Sequence, residues 1–187
     1  GQGAGSGGSG EDDDSPRAPV PGDLVISEIM VNPSAVEDAK GEWLELLNIS
    51  SDSLDLTGLY LSDDDVDGTA ITGAVVIESG QYVVLCAHRP TGDNGGVVCD
   101  TSYPYVTTGG GFSLTNTHDE VKVSADDGTL LDEVSYPEGS MPIGKSIGVD
   151  SDNLTPSRND DINRWCIQTE TMSGGDQGTP GSLNSSC

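Results

Sequence analysis

The chain has 187 residues, and its formal charge is −25 because 32 Asp and Glu residues face only 7 Lys and Arg residues. So few cations argue against a broad basic face for nucleic acids, and they also disfavour adhesion to anionic lipid headgroups. No apolar run approaches the roughly 18 residues that a membrane-spanning helix needs, so we expect no membrane span.

The first 22 residues are predicted to form a flexible tail or linker. Gly1–Gly10 consists almost entirely of Gly and Ser, and an acidic block and three prolines follow. This composition cannot bury enough apolar surface to offset chain entropy, so we place the folded domain at 23–187. One hypothesis is that the tail tethers the domain to a surface, as in exported lipoproteins whose lipid-bearing Cys would precede Gly1. The alternative is a linker between domains.

From Leu24 onward, short apolar runs alternate with turn signals, a pattern typical of an all-β sandwich or barrel. The predicted strands are Leu24–Met30, Trp43–Ile49, Leu54–Leu61, Thr69–Ile77, Gln81–Ala87, Phe112–Leu114, Glu120–Ser124, Thr129–Tyr136, Lys145–Val149 and Arg164–Gln168. Asp127-Gly128 predicts a hairpin between two of them. A helix within Ala35–Leu47 is the alternative for one segment, although Gly41 interrupts it. In the strand from Trp43, we expect Leu44 and Leu46 to face the core, and Glu45 to be either solvated or hydrogen-bonded to backbone.

The chain has four cysteines, Cys86, Cys99, Cys166 and Cys187. None of them forms a Cys-x-x-Cys pair, so the spacing that zinc-ribbon and redox motifs require is absent from the sequence. An even number in an acidic, Gly- and Ser-rich chain favours two disulfides and an extracellular or cell-surface protein. Of the three pairings, we favour Cys86–Cys99 and Cys166–Cys187, because each closes a loop rich in Gly, Asn and Ser. The alternative is four buried thiols in a reducing compartment.

The sharpest candidate site is Asp63-Asp64-Asp65-Val66-Asp67-Gly68. Asp63, Asp65 and Asp67 stand at alternate positions, as ligands 1, 3 and 5 do in a calcium loop, and the Thr69 carbonyl would follow at position 7. Position 12 is Ala74 rather than a bidentate Glu, so a Ca²⁺ ion bound by this loop would be held with modest affinity. The alternative is a solvated acidic turn. A second acidic cluster, at 150–153 and 159–161, offers a weaker candidate.

Six segments carry a resemblance to a known family; in chain order they are Leu24–Pro33, Gly41–Asn48, Leu54–Asp63, Ser79–Leu85, Arg164–Cys166 and Gly178–Asn184. Together they resemble the lamin-tail domain, in the form found in exported bacterial proteins. The resemblance covers about residues 23–185. It implies an immunoglobulin-like β-sandwich and a non-catalytic module, and it supplies no catalytic residue to transfer. The region from His88 to Gly111 would then be an insertion held by the first disulfide.

The leading hypothesis is a non-catalytic extracellular module that binds a protein or glycan partner, with Ca²⁺ stabilising one loop. An exposed aromatic patch would favour partner binding. Tyr103 and Tyr105, which flank Pro104, are candidates for such a patch, although burial is the equal alternative. Two further hypotheses are a structural surface or matrix domain and a small secreted hydrolase that uses acidic residues. The hydrolase would need a concave pocket that holds a carboxylate or His with a perturbed pKa.

Overall fold

The computed structural model describes residues 15–64, 67–106, 110–137, 139 and 141–187. Most of the predicted tail and two positions of the predicted calcium loop, Asp65 and Val66, therefore lie outside the described residues. The described strands are β1 (Leu24–Met30), β2 (Trp43–Asn48), β3 (Leu54–Asp55), β4 (Tyr60–Ser62), β5 (Gly68–Ala70), β6 (Val76–Ile77), β7 (Tyr82–Cys86), β8 (Thr101–Ser102), β9 (Asp119–Ser124), β10 (Leu130–Tyr136), β11 (Ile147–Val149) and β12 (Trp165–Ile167). Two one-turn helices, α1 (Asp38–Gly41) and α2 (Pro156–Asn159), lie between strands.

Two sheets form the body of the domain. A six-stranded sheet has the order β12-β11-β1-β2-β7-β8, and a four-stranded sheet has the order β10-β9-β4-β5. Neighbouring strands are antiparallel except for β7 and β8, which run parallel. β3 and β6 make a separate two-stranded ladder. The predicted all-β, immunoglobulin-like sandwich is confirmed.

The main core lies between the two sheets. Its buried side chains include alternate residues of the central strands, among them Leu44 and Leu46 of β2, as predicted, and Val121 and Val123 of β9. Tyr103 and Phe112 add an edge-to-face aromatic pair whose ring centroids are 5.5 Å apart. Because the two sheets bury these alternating side chains against each other, hydrophobic burial holds the sandwich together.

The six-stranded sheet is also buried on its outer face. Residues 168–187, which we call the C-terminal cover, and residues 88–100, the insertion loop, pack on this face. A second apolar cluster forms beneath them from Met30, Trp43, Val84, Cys86 and Val97, and Met172 of the cover joins it. β1 and β2 are therefore buried along their whole length.

Two disulfides fasten this outer layer. The structure joins Cys86 to Cys99 and Cys166 to Cys187, the pairing that the loop compositions favour. The first bond ties the insertion loop to the end of β7, and the second ties residue 187 to β12. Each bond encloses a short stretch of chain, of 13 and 21 residues. Both therefore hold the outer layer rather than link the two sheets.

Several predicted strands are shorter or broken. The predicted strand Leu54–Leu61 is wrong in its middle, because Gly58 has a φ of 81° and the chain turns there. The predicted strand Thr69–Ile77 is similarly divided at Gly73, whose φ is 83°. Phe112–Leu114 forms no strand of its own, because Phe112 makes only an isolated bridge to Tyr105. β8 was missed, since two residues carry no periodicity.

The end of the predicted tail contacts the sandwich. Arg17 pairs with the β3 backbone, accepting from Asp55 N and donating to Ser53 O. Its guanidinium also donates to Asp23 and Asp52, each at 2.6 Å. The Arg17 guanidinium holds the pKa of the Asp23 carboxyl below its ordinary value. Residues 15–22 thus border the domain at its β3 side.

Candidate interaction surface

Two carboxyl groups are buried between the six-stranded sheet and the C-terminal cover. Glu28 of β1 and Glu45 of β2 are direct cross-strand neighbours, and neither has any exposed surface. A β-bulge after Ile26 turns Glu28 away from the inter-sheet core and toward the cover. Like charges placed opposite each other in a sheet repel, so this pair requires strong support from its surroundings.

The cover supplies that support for Glu28. Thr179 donates to the Glu28 carboxyl through its backbone N at 2.8 Å and its hydroxyl at 2.7 Å, and Ser146 donates a further bond. Gly178 permits this approach, because a Cβ there would lie 3.0 Å from the Trp43 ring. Burial raises the pKa of Glu28, although these hydrogen bonds counteract the rise.

Glu45 is held in the same way. It accepts bonds from the Ser27 hydroxyl at 2.6 Å and from Gly181 N at 2.6 Å. Burial raises the pKa of Glu45 to about 8, and the adjacent Glu28 carboxyl contributes to the rise. From the sequence, we expected Glu45 to be either solvated or hydrogen-bonded to backbone. The structure shows the second alternative, with an additional hydrogen bond from a hydroxyl group and no exposed surface.

Two further buried carboxyls with raised pKa values lie elsewhere in the sandwich. Glu42 accepts from Leu114 N at 2.9 Å and from the Tyr105 hydroxyl at 3.3 Å, and burial raises its pKa to about 9. Asp132 of β10 accepts from Ile26 N at 2.7 Å, and burial raises its pKa to about 7. Neither of these acids was predicted from the sequence as a site residue, nor was Glu28.

These four carboxyls occupy structural positions. Each is at most 4% exposed, and each is bonded to backbone groups of another segment. A perturbed pKa marks a catalytic acid only where a substrate can reach the group. These four carboxyls therefore have the perturbed pKa values that the hydrolase hypothesis requires, but they lack the exposure through which a substrate could reach them.

The predicted calcium loop lies between β4 and β5. Asp63 N donates to the Asp67 carbonyl at 3.4 Å, which closes the loop, while Asp65 is not among the described residues. Thr69 lies in β5, opposite Leu61. Within the described ranges, no three His, Cys, Asp or Glu side chains are grouped closely enough to hold a metal ion. Calcium binding through Asp63, Asp65, Asp67 and Thr69 stays a prediction.

The predicted aromatic patch is not at the insertion. Tyr103 is only 1% exposed and packs in the core, and Tyr105 is partly buried against Glu42. In the part of the chain that the structure describes, the exposed aromatic side chain is instead Tyr60 of β4, which is 41% exposed. It lies on the outer face of the four-stranded sheet, which we call the open face.

Residues of the open face form rows across the strands. Leu130 pairs with Ser124, Ser124 with Tyr60, and Tyr60 with Ala70, so one row crosses all four strands. Leu130 is 44% exposed, and Ser124 separates it from Tyr60. The Tyr60 ring and hydroxyl lie over Gly68, where a Cβ would be 2.6 Å from the hydroxyl oxygen. Gly68 thus leaves room for the ring on the sheet surface.

The second row of the open face carries charge. Glu133 pairs with Lys122, and Lys122 with Ser62. The Lys122 ammonium forms an ion pair with Asp64, and this hydrogen bond raises the pKa of Lys122. The carboxylates of Glu120 and Glu133 raise it further. The face therefore joins two exposed apolar side chains with a single lysine, Lys122, that interacts with three acids.

A family model of the Lamin Tail Domain matches residues 17–138. The chain belongs to the lamin tail domain family. Lamin tail domains are immunoglobulin-like and generally act as non-catalytic interaction modules. The match ends at residue 138, so β11, β12 and the C-terminal cover of this lamin tail domain lie beyond the matched range, as do the resembling segments from residue 164 onward. A comparison with curated proteins finds no match.

Among the described helices, none has the length and apolar character that a membrane crossing requires.

Proposed function

We propose that this lamin tail domain is a non-catalytic extracellular module that binds a protein or glycan partner through the open face. The observation that carries the proposal is the difference between the two outer faces. The cover and the insertion loop bury the six-stranded sheet, whereas the four-stranded sheet presents Tyr60 and Leu130 to solvent. Aromatic and apolar side chains at the centre of a surface are the usual anchors of binding.

Two disulfides support the extracellular part of the proposal, because such bonds persist in oxidising compartments. The acidic surface supports it less specifically, since a high net charge keeps a protein soluble. In this proposal, a Ca²⁺ ion in the loop that follows β4 would hold that edge of the open face in one conformation. Asp64 of the same loop already contacts Lys122 on the face.

The test is a binding screen with a matched variant. The wild-type protein and a Tyr60→Ser/Leu130→Ser double variant are applied to immobilised glycans and synthetic peptides. We expect at least one ligand to bind the wild type and to lose about tenfold or more in affinity with the double variant, as loss of two hot-spot contacts predicts. Val98→Ser is the control, because Val98 is 74% exposed but lies on the insertion loop. If every ligand binds both proteins equally, the open face is not the binding surface.

A further inference from the structure

The charges of the open face indicate which chemistry its partner carries. Lys122 is the one cation among the outward-facing residues of the described strands, and three carboxylates, Asp64, Glu120 and Glu133, interact with it. The ammonium is thus already neutralised. The face keeps an excess of negative charge, and the chain as a whole carries −25. An acidic partner would be repelled both at contact and at a distance.

The aromatic side chain of the face fits the same chemistry. One side of the Tyr60 ring lies over the Gly68 backbone, and 41% of the residue remains exposed. An exposed tyrosine ring attracts the ammonium of Lys or the guanidinium of Arg to its face. Glu133 lies in the row next to Tyr60, two strands away, so one extended segment crossing the sheet can meet both groups.

We propose that the partner of the open face is a basic polypeptide segment, in which one Arg or Lys stacks on Tyr60 and a neighbouring cation pairs with Glu133 or Glu120. This inference rests on the proposed function and names the partner class of the same surface. The apolar part of the segment would pack against Leu130, which is 44% exposed. Arg suits both contacts, because its planar guanidinium stacks on aromatic rings and binds carboxylates in a bidentate manner.

The probe is a short synthetic peptide in which Arg and Ser alternate, and its matched control has citrulline in place of Arg. Binding to the isotope-labelled protein is followed by amide chemical shifts. We expect the shifts to concentrate on β4, β9 and β10, and the citrulline peptide to produce none. Tyr60→Ser should weaken binding by about fivefold, the value of one exposed cation–π contact.

A variant pair separates a specific site from general acidity. Glu133→Gln and Asp93→Asn each remove one exposed carboxylate, but Asp93 lies on the insertion loop, which packs on the outer face of the six-stranded sheet. We expect only Glu133→Gln to weaken binding. Equal weakening by both variants, or shifts spread over the whole protein, would overturn the inference. The inference would also be overturned if a neutral glucose oligosaccharide changed the amide chemical shifts of β4, β9 and β10 and the Arg peptide did not. That result would leave the proposed binding function of the face intact.

Discussion

Replacement of Glu42 by Gln should stabilise the protein increasingly as the pH rises. The Glu42 carboxyl has no exposed surface, and burial raises its pKa to about 9 from the ordinary value of 4.5. The folded state therefore binds this proton more tightly than the unfolded state does. The resulting stability is fully present below about pH 4.5 and is lost as the pH rises toward about 9.

The magnitude follows from the shift in pKa. One proton taken up on folding changes the free energy of unfolding by about 1.4 kcal/mol for each pH unit within this window. Between about pH 5 and about pH 8, wild type should lose about 4 kcal/mol through Glu42 alone. Gln has nearly the same shape, and its amide can accept from Leu114 N and donate to the Tyr105 hydroxyl, so the variant keeps both contacts without the ionisable group.

Urea unfolding of both proteins at a series of pH values measures the effect. The quantity of interest is the variant's free energy of unfolding minus that of wild type, since the other buried carboxyls are common to both proteins and cancel. This difference should rise steadily with pH. Glu133→Gln, which removes an exposed carboxyl from β10, is the control variant. A Glu42→Gln difference that stays constant from about pH 5 to about pH 8 would refute the reasoning, because Glu42 would then be ionised within the fold.

Three further predictions concern the cover and the acidic loop. Thr179→Val should lower the free energy of unfolding by about 1–3 kcal/mol, because the Glu28 carboxyl loses one of its two hydroxyl donors, whereas Thr179→Ser should restore most of the loss in urea unfolding. Replacing both cysteines of the Cys166–Cys187 pair by Ser should cost about 3 kcal/mol, the chain-entropy value for a loop of 21 residues, and an unchanged thermal midpoint would contradict it. Calorimetric titration of Ca²⁺ into the wild-type protein should give heat of binding that disappears in the Asp63→Asn/Asp67→Asn variant. If wild-type protein that a chelator has freed of metal gives no heat, the site is rejected.

The sequence predicted the sheet strands well where one residue in two is apolar. β9 shows this, since Val121 and Val123 point inward and the residues that alternate with them, Glu120, Lys122 and Ser124, point outward. β1 departs from this period, because its inward residues are Leu24, Ile26 and Ile29. The three-residue step between Ile26 and Ile29 was a visible signal of a bulge, and it would have placed Glu28 on the opposite face from Ile26.

The buried carboxyls and the cover were harder to predict. Gly178–Asn184 was part of the resemblance, but nothing in its composition indicated that it covers Glu28 and Glu45. Those contacts join residues more than 130 positions apart in the chain. Strand patterns show which face of a strand is apolar, but they do not show which distant segment packs on a polar face. The open face was not predicted either, because the candidate aromatic patch was placed at Tyr103 and Tyr105 rather than at Tyr60.

The double burial of the six-stranded sheet has a consequence for variation in this protein. In β9, positions alternate between the core and the open face, so every second position can accept a different side chain of similar polarity. In β1 and β2 both sides of the strand are enclosed, and no position offers that freedom. Natural or engineered diversity should therefore accumulate on β4, β9 and β10, the strands that carry the open face, while the centre of the domain keeps its side chains.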